Sequence, residues 1–328
     1  MKKKVLLIIL LLILAVLIVK QLPSKNKQEK EWFNNEGWDI MSDMPTPRHS
    51  FGITTQGNKI YVIGGNINNG EDTKKVEIYD PETDKWTKGE DMPTARHSLE
   101  VITINNKIYS IGGGNNKGQA GIVEIYDPET DKWTKGEDMP TARETFAAAQ
   151  LNNKIYTIGG YSKKEGFSDN IEVYNTEIDK WEIEQSFPEK LSRLSAIVSN
   201  ETIYVLGGYS SEKEIKSNIF VYNFEKKEWN KKTSIPTRRR NFGVLEENNK
   251  IWVIGGSKSL ESGEPTRIVE SYNLLNNSWI NEVQLNYPRY ELGTVRINNE
   301  IYAIGGIEPL NSDKSPHISN KVEKYSLR

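Results

Sequence analysis

The chain has 328 residues, with 43 Lys and Arg against 45 Asp and Glu, a formal net charge of −2. Without a global positive field or a basic stripe beyond the N-terminus, nucleic acid is not an expected partner. The absence of cysteine excludes disulfides, thiolate nucleophiles, cysteine-ligated zinc and iron–sulfur clusters.

The first segment is apolar. Lys2, Lys3 and Lys4 precede an unbroken run from Val5 to Val19, and Lys20 follows. At about 1.5 Å per residue the run spans roughly 22 Å, against a hydrocarbon core of about 30 Å. Snorkelling lysines and local thinning cover the difference. No A-x-A cleavage pattern follows, only K-Q-L-P-S-K-N. Residues 1–20 are therefore expected to act as an uncleaved signal anchor, with cleavage and secretion as the alternative. Residues 21–36 read as a polar linker. The remainder, 37–328, is expected outside the cytoplasm.

From Trp38 onward the sequence repeats. Six Gly-Gly pairs (Gly64–Gly65, Gly112–Gly113, Gly159–Gly160, Gly207–Gly208, Gly255–Gly256 and Gly305–Gly306) follow strand-like runs such as K-I-Y-V-I and T-I-Y-V-L. A Trp stands 26 residues before each pair, at Trp38, Trp86, Trp133, Trp181, Trp229 and Trp279. A Tyr precedes each of the last five by seven residues, and Tyr325 closes the series without a following Trp. Each unit reads as four short strands, a to d, separated by turn residues. In the first unit, strand a is expected at about 48–55, b at 59–65 and c at 75–80, with d following Trp86.

These features, with M-P-T-x-R ahead of strand a, resemble the kelch repeat over residues 37–328. The resemblance implies an all-β, six-bladed β-propeller with one four-stranded antiparallel sheet per blade. The last unit lacks strand d, and the segment around Trp38 is an orphan strand d. Joining them closes the ring and removes the open edge.

Some repeated positions read as scaffold. Arg48, Arg96, Arg143, Arg239 and Arg289 stand ten residues after their Trp, and Glu77, Glu124, Glu172, Glu270 and Glu323 two residues before their Tyr. The fourth unit alone departs at both positions, with Leu191 and Phe220. Two strand spacings of about 4.8 Å separate strand a from strand c. A long Arg can cross strand b where strand b presents only Gly-Gly, so an Arg–Glu bond is expected in each blade. The Trp and Tyr positions are expected to pack between blades.

Function is sought where the copies diverge. Residues 76–96 and 123–143 are identical, and agreement stops at His97 against Glu144. The d–a and b–c loops share one face, and the b–c loops vary in length and content. In kelch domains that bind peptides or sugars, the two positions after the Arg, the position after Gly-Gly and the b–c loops line the pocket. Carried over, this implies His49, His97, Glu144, Tyr161, Arg193, Tyr209, Arg240, Tyr290 and Glu291 as ligand-binding residues. The three histidines form no chelating motif, and neither a metal nor a cofactor is expected. Copper-radical sugar oxidases share the propeller but need a Cys–Tyr cross-link, which zero cysteine excludes. The expected function is binding of a protein or glycan partner by a membrane-tethered module. One alternative is a cofactor-free carbohydrate mutarotase resembling the bacterial sialic acid mutarotases, with Glu144, His97 and Arg240 as acid–base group and carboxylate clamp. Another is a structural member of an envelope assembly.

Overall fold

The computed structural model describes residues 37–260, 264–310 and 315–327. The anchor and linker expected over 1–36 lie outside the described residues. Among these, no helix is long and apolar enough to cross a membrane.

Six four-stranded antiparallel sheets are arranged in a ring. Strand a of each blade packs beside strand a of the next, and that of blade 6 packs beside that of blade 1. Blade 1 comprises Gly52–Gln56, Lys59–Ile63, Val76–Asp80 and Lys85–Gly89. Strand a of blade 2 is Glu100–Ile104. Blade 6 takes a to c from Gly293–Ile297, Glu300–Ile304 and Val322–Ser326, and its fourth strand is Asp39–Ile40. The closure pairs Asp39 with Lys324 and Ile40 with Glu323. Trp38 is 2% exposed, stacks against Tyr325 at 5.4 Å and donates its indole N–H to the Val283 carbonyl at 2.9 Å.

Strands a and b begin and end differently from the expectation of 48–55 and 59–65. Strand a starts only at Gly52, because Ser50 adopts a left-handed conformation with φ 52° and turns the chain at the channel mouth. Strand b stops at Ile63 because Gly64 and Gly65 have φ of 66° and 100°. A Cβ on Gly65 would lie 2.8 Å from the His49 carbonyl, so glycine is required both for conformation and for space.

Local chemistry explains the remaining pattern. Gly57 and Asn58 both have positive φ, giving the mirror-image turn that suits a twisted hairpin. Tyr79 faces Trp86 across the c–d hairpin, which accounts for the seven-residue Tyr-to-Trp spacing. Their rings stand 5.1 Å apart. Strand b is apolar along most of its length because blades cover both of its faces. The side chains of Tyr79, Tyr126, Tyr174, Tyr222 and Tyr272 are buried between blades, and Tyr325 is half-buried. The outer Trp residues except Trp38 are half-buried. Several reach the preceding blade through the indole, as from Trp86 to the Ser42 carbonyl at 3.0 Å and from Trp133 to the Glu90 carbonyl at 2.8 Å.

Candidate ligand-binding face

The scaffold Arg positions are fully buried. Arg48 meets Glu77 at 2.5 Å, Arg96 meets Glu124 at 2.7 Å, Arg143 meets Glu172 at 3.0 Å and Arg289 meets Glu323 at 2.5 Å. Arg239 pairs with Glu270 in the same way. Each crossing passes over the end of strand b, where Arg48 and Arg96 also donate to the carbonyls of Gly64 and Gly112 at 3.0 and 2.6 Å. The Thr of M-P-T-x-R binds the same carboxylate: Thr46 donates to Glu77 at 2.6 Å and Thr94 to Glu124 at 2.7 Å. These buried charges are therefore paired within the blade, although the Nε atoms of Arg96, Arg143, Arg239 and Arg289 have no hydrogen-bond partner among the described residues. In blade 4, Leu191 and Phe220 join one apolar cluster, and Phe187 packs on Phe220 at 5.2 Å.

The residue after the Arg position pairs with the residue after Gly-Gly, placing both on the rim of the d–a and b–c face. The pairs include His49 with Asn66, His97 with Gly114, Glu144 with Tyr161, Arg240 with Ser257 and Tyr290 with Ile307, and Ser192 with Tyr209. Tyr290 is partly buried beside the charges of the next residue, and burial raises its hydroxyl above the ordinary value. The second residue turns inward. Ser50, Ser98, Thr145, Arg193, Asn241 and Glu291 all have φ between 51° and 56°, a conformation that non-glycine residues seldom adopt. Backbone hydrogen bonds link this ring from blade to blade, for example from Ser98 N–H to the Ser50 carbonyl at 2.7 Å and from Arg193 N–H to the Thr145 carbonyl at 2.7 Å. The blade-to-blade bonds compensate for that strain and fix six side chains around the channel mouth.

Two polar networks result. At the mouth, Glu291 accepts from His49 at 2.7 Å, Ser50 at 2.5 Å, Asn241 at 2.7 Å and Arg193 at 3.1 Å. Burial would raise this carboxyl, but the bond from His49 and the charges of His49 and Arg193 hold it at about 2. Nearer the rim, His97 Nδ1 lies 2.6 Å from Asp72 and Nε2 3.4 Å from Glu144, which also accepts from Gln119 at 3.1 Å. The Glu144 bond is the largest influence raising the His97 pKa. Burial works to raise Glu144, yet the bonds from His97 and Gln119 bring it below the ordinary carboxylate value.

Beside the second network lies an aromatic pocket. Tyr161 packs on Phe167 at 5.5 Å and Phe167 on Tyr209 at 5.6 Å, both edge to face. With Glu144, Thr145, Ser192 and Arg193 they line a cavity of about 230 Å³. Arg240 sits over Tyr209 at 5.7 Å and donates to the Ser259 and Leu260 carbonyls at 3.2 and 3.0 Å, holding the blade 5 b–c loop.

The candidates thus fall into groups. Glu144, Tyr161, Arg193 and Tyr209 share the aromatic pocket, with His97 and Arg240 bordering it; His49, Arg193 and Glu291 form the mouth network. Sequence reasoning missed Asp72, Gln119 and Phe167, each of which pairs with the residue after Gly-Gly in its blade, because the b–c loops that carry them differ in length and residue type. An aromatic in the divergent Y-S-K-K-E-G-F-S-D-N loop was the available signal for Phe167.

The ring, the Gly-Gly strand ends and the Tyr–Trp hairpins define a kelch-type β-propeller. A sequence profile of the Attractin/LZTR1 beta-propeller family matches residues 60–309. The chain belongs to that family. Shorter stretches resemble kelch proteins: 42% identity over 53 residues to Kelch-like protein 11 of Homo sapiens, covering 16% of this chain and 8% of that protein. Beta-scruin of Limulus polyphemus is 42% identical over 50 residues, covering 15% of this chain and 6% of its own length. F-box protein AFR of Arabidopsis thaliana is 43% identical over 51 residues, covering 15% and 14%. The matches span less than a sixth of each of these relatives' own length.

Proposed function

We propose that this propeller captures a protein partner on its d–a and b–c face, centred on the pocket between blades 3 and 4. The observation that carries this reading is the convergence of Tyr161, Phe167 and Tyr209 with Glu144 and Arg193 around one cavity on the face where the repeats diverge. Amphipathic rings flanked by fixed charges supply apolar anchoring and orientation together. The lysine-flanked run Val5 to Val19 supports tethering of the disc at an extracytoplasmic membrane surface as part of this reading. In the mutarotase reading Glu144 and His97 would handle protons, but they engage each other, and Arg240 engages loop carbonyls; binding uses the same groups without releasing them.

The test is a combined peptide and glycan array probed with the full chain. Tyr209→Ala and Glu144→Gln should each abolish the strongest peptide signals. Binding that both variants retain would place the contact elsewhere, and binding confined to glycans would replace a protein partner with a sugar.

A further inference from the structure

Below the mouth, strand a of every blade carries an equivalent position two residues after the left-handed ring: Gly52, Glu100, Ala147, Ser195, Gly243 and Gly293. Five are small because neighbouring strands converge there. A Cβ on Gly52 would fall 2.0 Å from a Val101 methyl, and one on Gly243 2.2 Å from that of Thr294. Glu100 alone carries a long side chain into this space. It lines both channel cavities, of about 150 and 210 Å³.

Every other acid discussed above has a partner. The blade glutamates meet Arg, Glu291 meets His49 and Arg193, and Glu144 meets His97. Among the described residues no hydrogen bond or ion pair reaches the Glu100 carboxylate. The remaining ionisable residues lining the two cavities are Arg193 and Glu291, and these are bound to each other at 3.1 Å. The rest of the lining is mixed: Phe51, Phe146 and Phe242 supply phenyl rings, and Ser98, Thr145, Ser195 and Asn241 supply uncharged polar groups.

We propose that Glu100 makes the central channel a binding site for a primary alkylammonium group, brought by a free amine or by a lysine side chain. A single carboxylate supplies at most two of the six or more oxygen ligands that calcium or magnesium takes, and it repels anions. An ammonium on a short apolar stem matches the surroundings. Its charge pairs with the carboxylate, its remaining protons suit serine hydroxyls, its stem lies against phenyl rings, and those rings also attract cations. Burial pushes the Glu100 carboxyl up to about 8, so below that pH an arriving cation would have to displace its proton. This site adjoins the aromatic pocket through Thr145 and Arg193, but Glu100 lines only the channel cavities and Tyr209 only the aromatic pocket.

The experiment is isothermal titration of the full chain with n-butylammonium, with n-butanol as the uncharged isostere. A second arm uses acetyl-Gly-Lys-Gly-amide against its Nε-acetyl form. Saturable butylammonium binding is expected to tighten by at least about tenfold between about pH 6 and about pH 8, as the carboxyl ionises. It should weaken by at least about tenfold in Glu100→Gln and stay unchanged in Tyr209→Ala. Binding of the lysyl tripeptide but not of its acetylated form identifies a lysine side chain as a source; butylammonium binding alone identifies a free amine. The proposal is overturned if no probe binds, if n-butanol binds as well as the ammonium, if Glu100→Gln binds normally, or if affinity falls with rising pH. That last result would mean the protonated acid donates to a neutral ligand.

Discussion

Glu100→Gln should stabilise the protein, by an amount that depends on pH. Burial raises the Glu100 carboxyl from 4.5 to about 8 in the folded chain. Between those values the native state holds a proton that the unfolded chain has released. Stability is therefore fully present below the unfolded value and is lost as pH rises through the folded one. At about 1.36 kcal/mol per unit, the full shift sets a ceiling of roughly 5 kcal/mol. Glu100 keeps some contact with channel solvent, which reduces the expected penalty to about 1–3 kcal/mol. Glutamine keeps the shape and cannot ionise. Urea unfolding should thus give nearly equal stability for the two proteins at about pH 4 and a gap that widens until about pH 8, then stays flat, with m unchanged. A gap independent of pH, or a less stable variant at high pH, would refute the reasoning.

In a double-mutant cycle on Arg96→Met and Glu124→Met, each single change should cost about 3–5 kcal/mol and the double change less than their sum. The natural double replacement at Leu191 and Phe220 points the same way, and zero coupling in urea unfolding would contradict the pair. The His97 imidazole, followed by NMR, should titrate above 6.5 and shift down in Glu144→Gln, since the Glu144 bond is the main cause of its raised value. The stability this pair contributes should fade as pH rises through the His97 midpoint, because that value is raised in the folded state. Trp38→Ala removes a side chain that is 2% exposed at the ring closure and should cost about 3–5 kcal/mol in chemical denaturation.

Much of this architecture is legible in the sequence because a propeller repeats its solutions. The Gly-Gly ends, the Tyr–Trp hairpins and the Arg–Glu crossings recur at fixed spacing, and the joint loss at Leu191 and Phe220 exposes the pairing. Other features need three dimensions. The left-handed ring from Ser50 to Glu291 has no common residue type, since the compensating bonds come from backbone atoms. Asp72 and Phe167 occupy loops whose lengths differ, so no alignment of repeats places them beside His97 and Tyr209. Glu100 stands out only once the convergence of the a strands shows why its five counterparts are small.

The central claim is that the d–a and b–c face is the contact surface. Hydrogen–deuterium exchange of the full chain, with and without its best-binding array peptide, addresses it directly. The account predicts slowed exchange over the rim and b–c loops of blades 3 and 4, around 144–145, 161–168 and 209–216, with the c–d turns such as 81–84 unchanged. Protection confined to the a–b and c–d turns would contradict it.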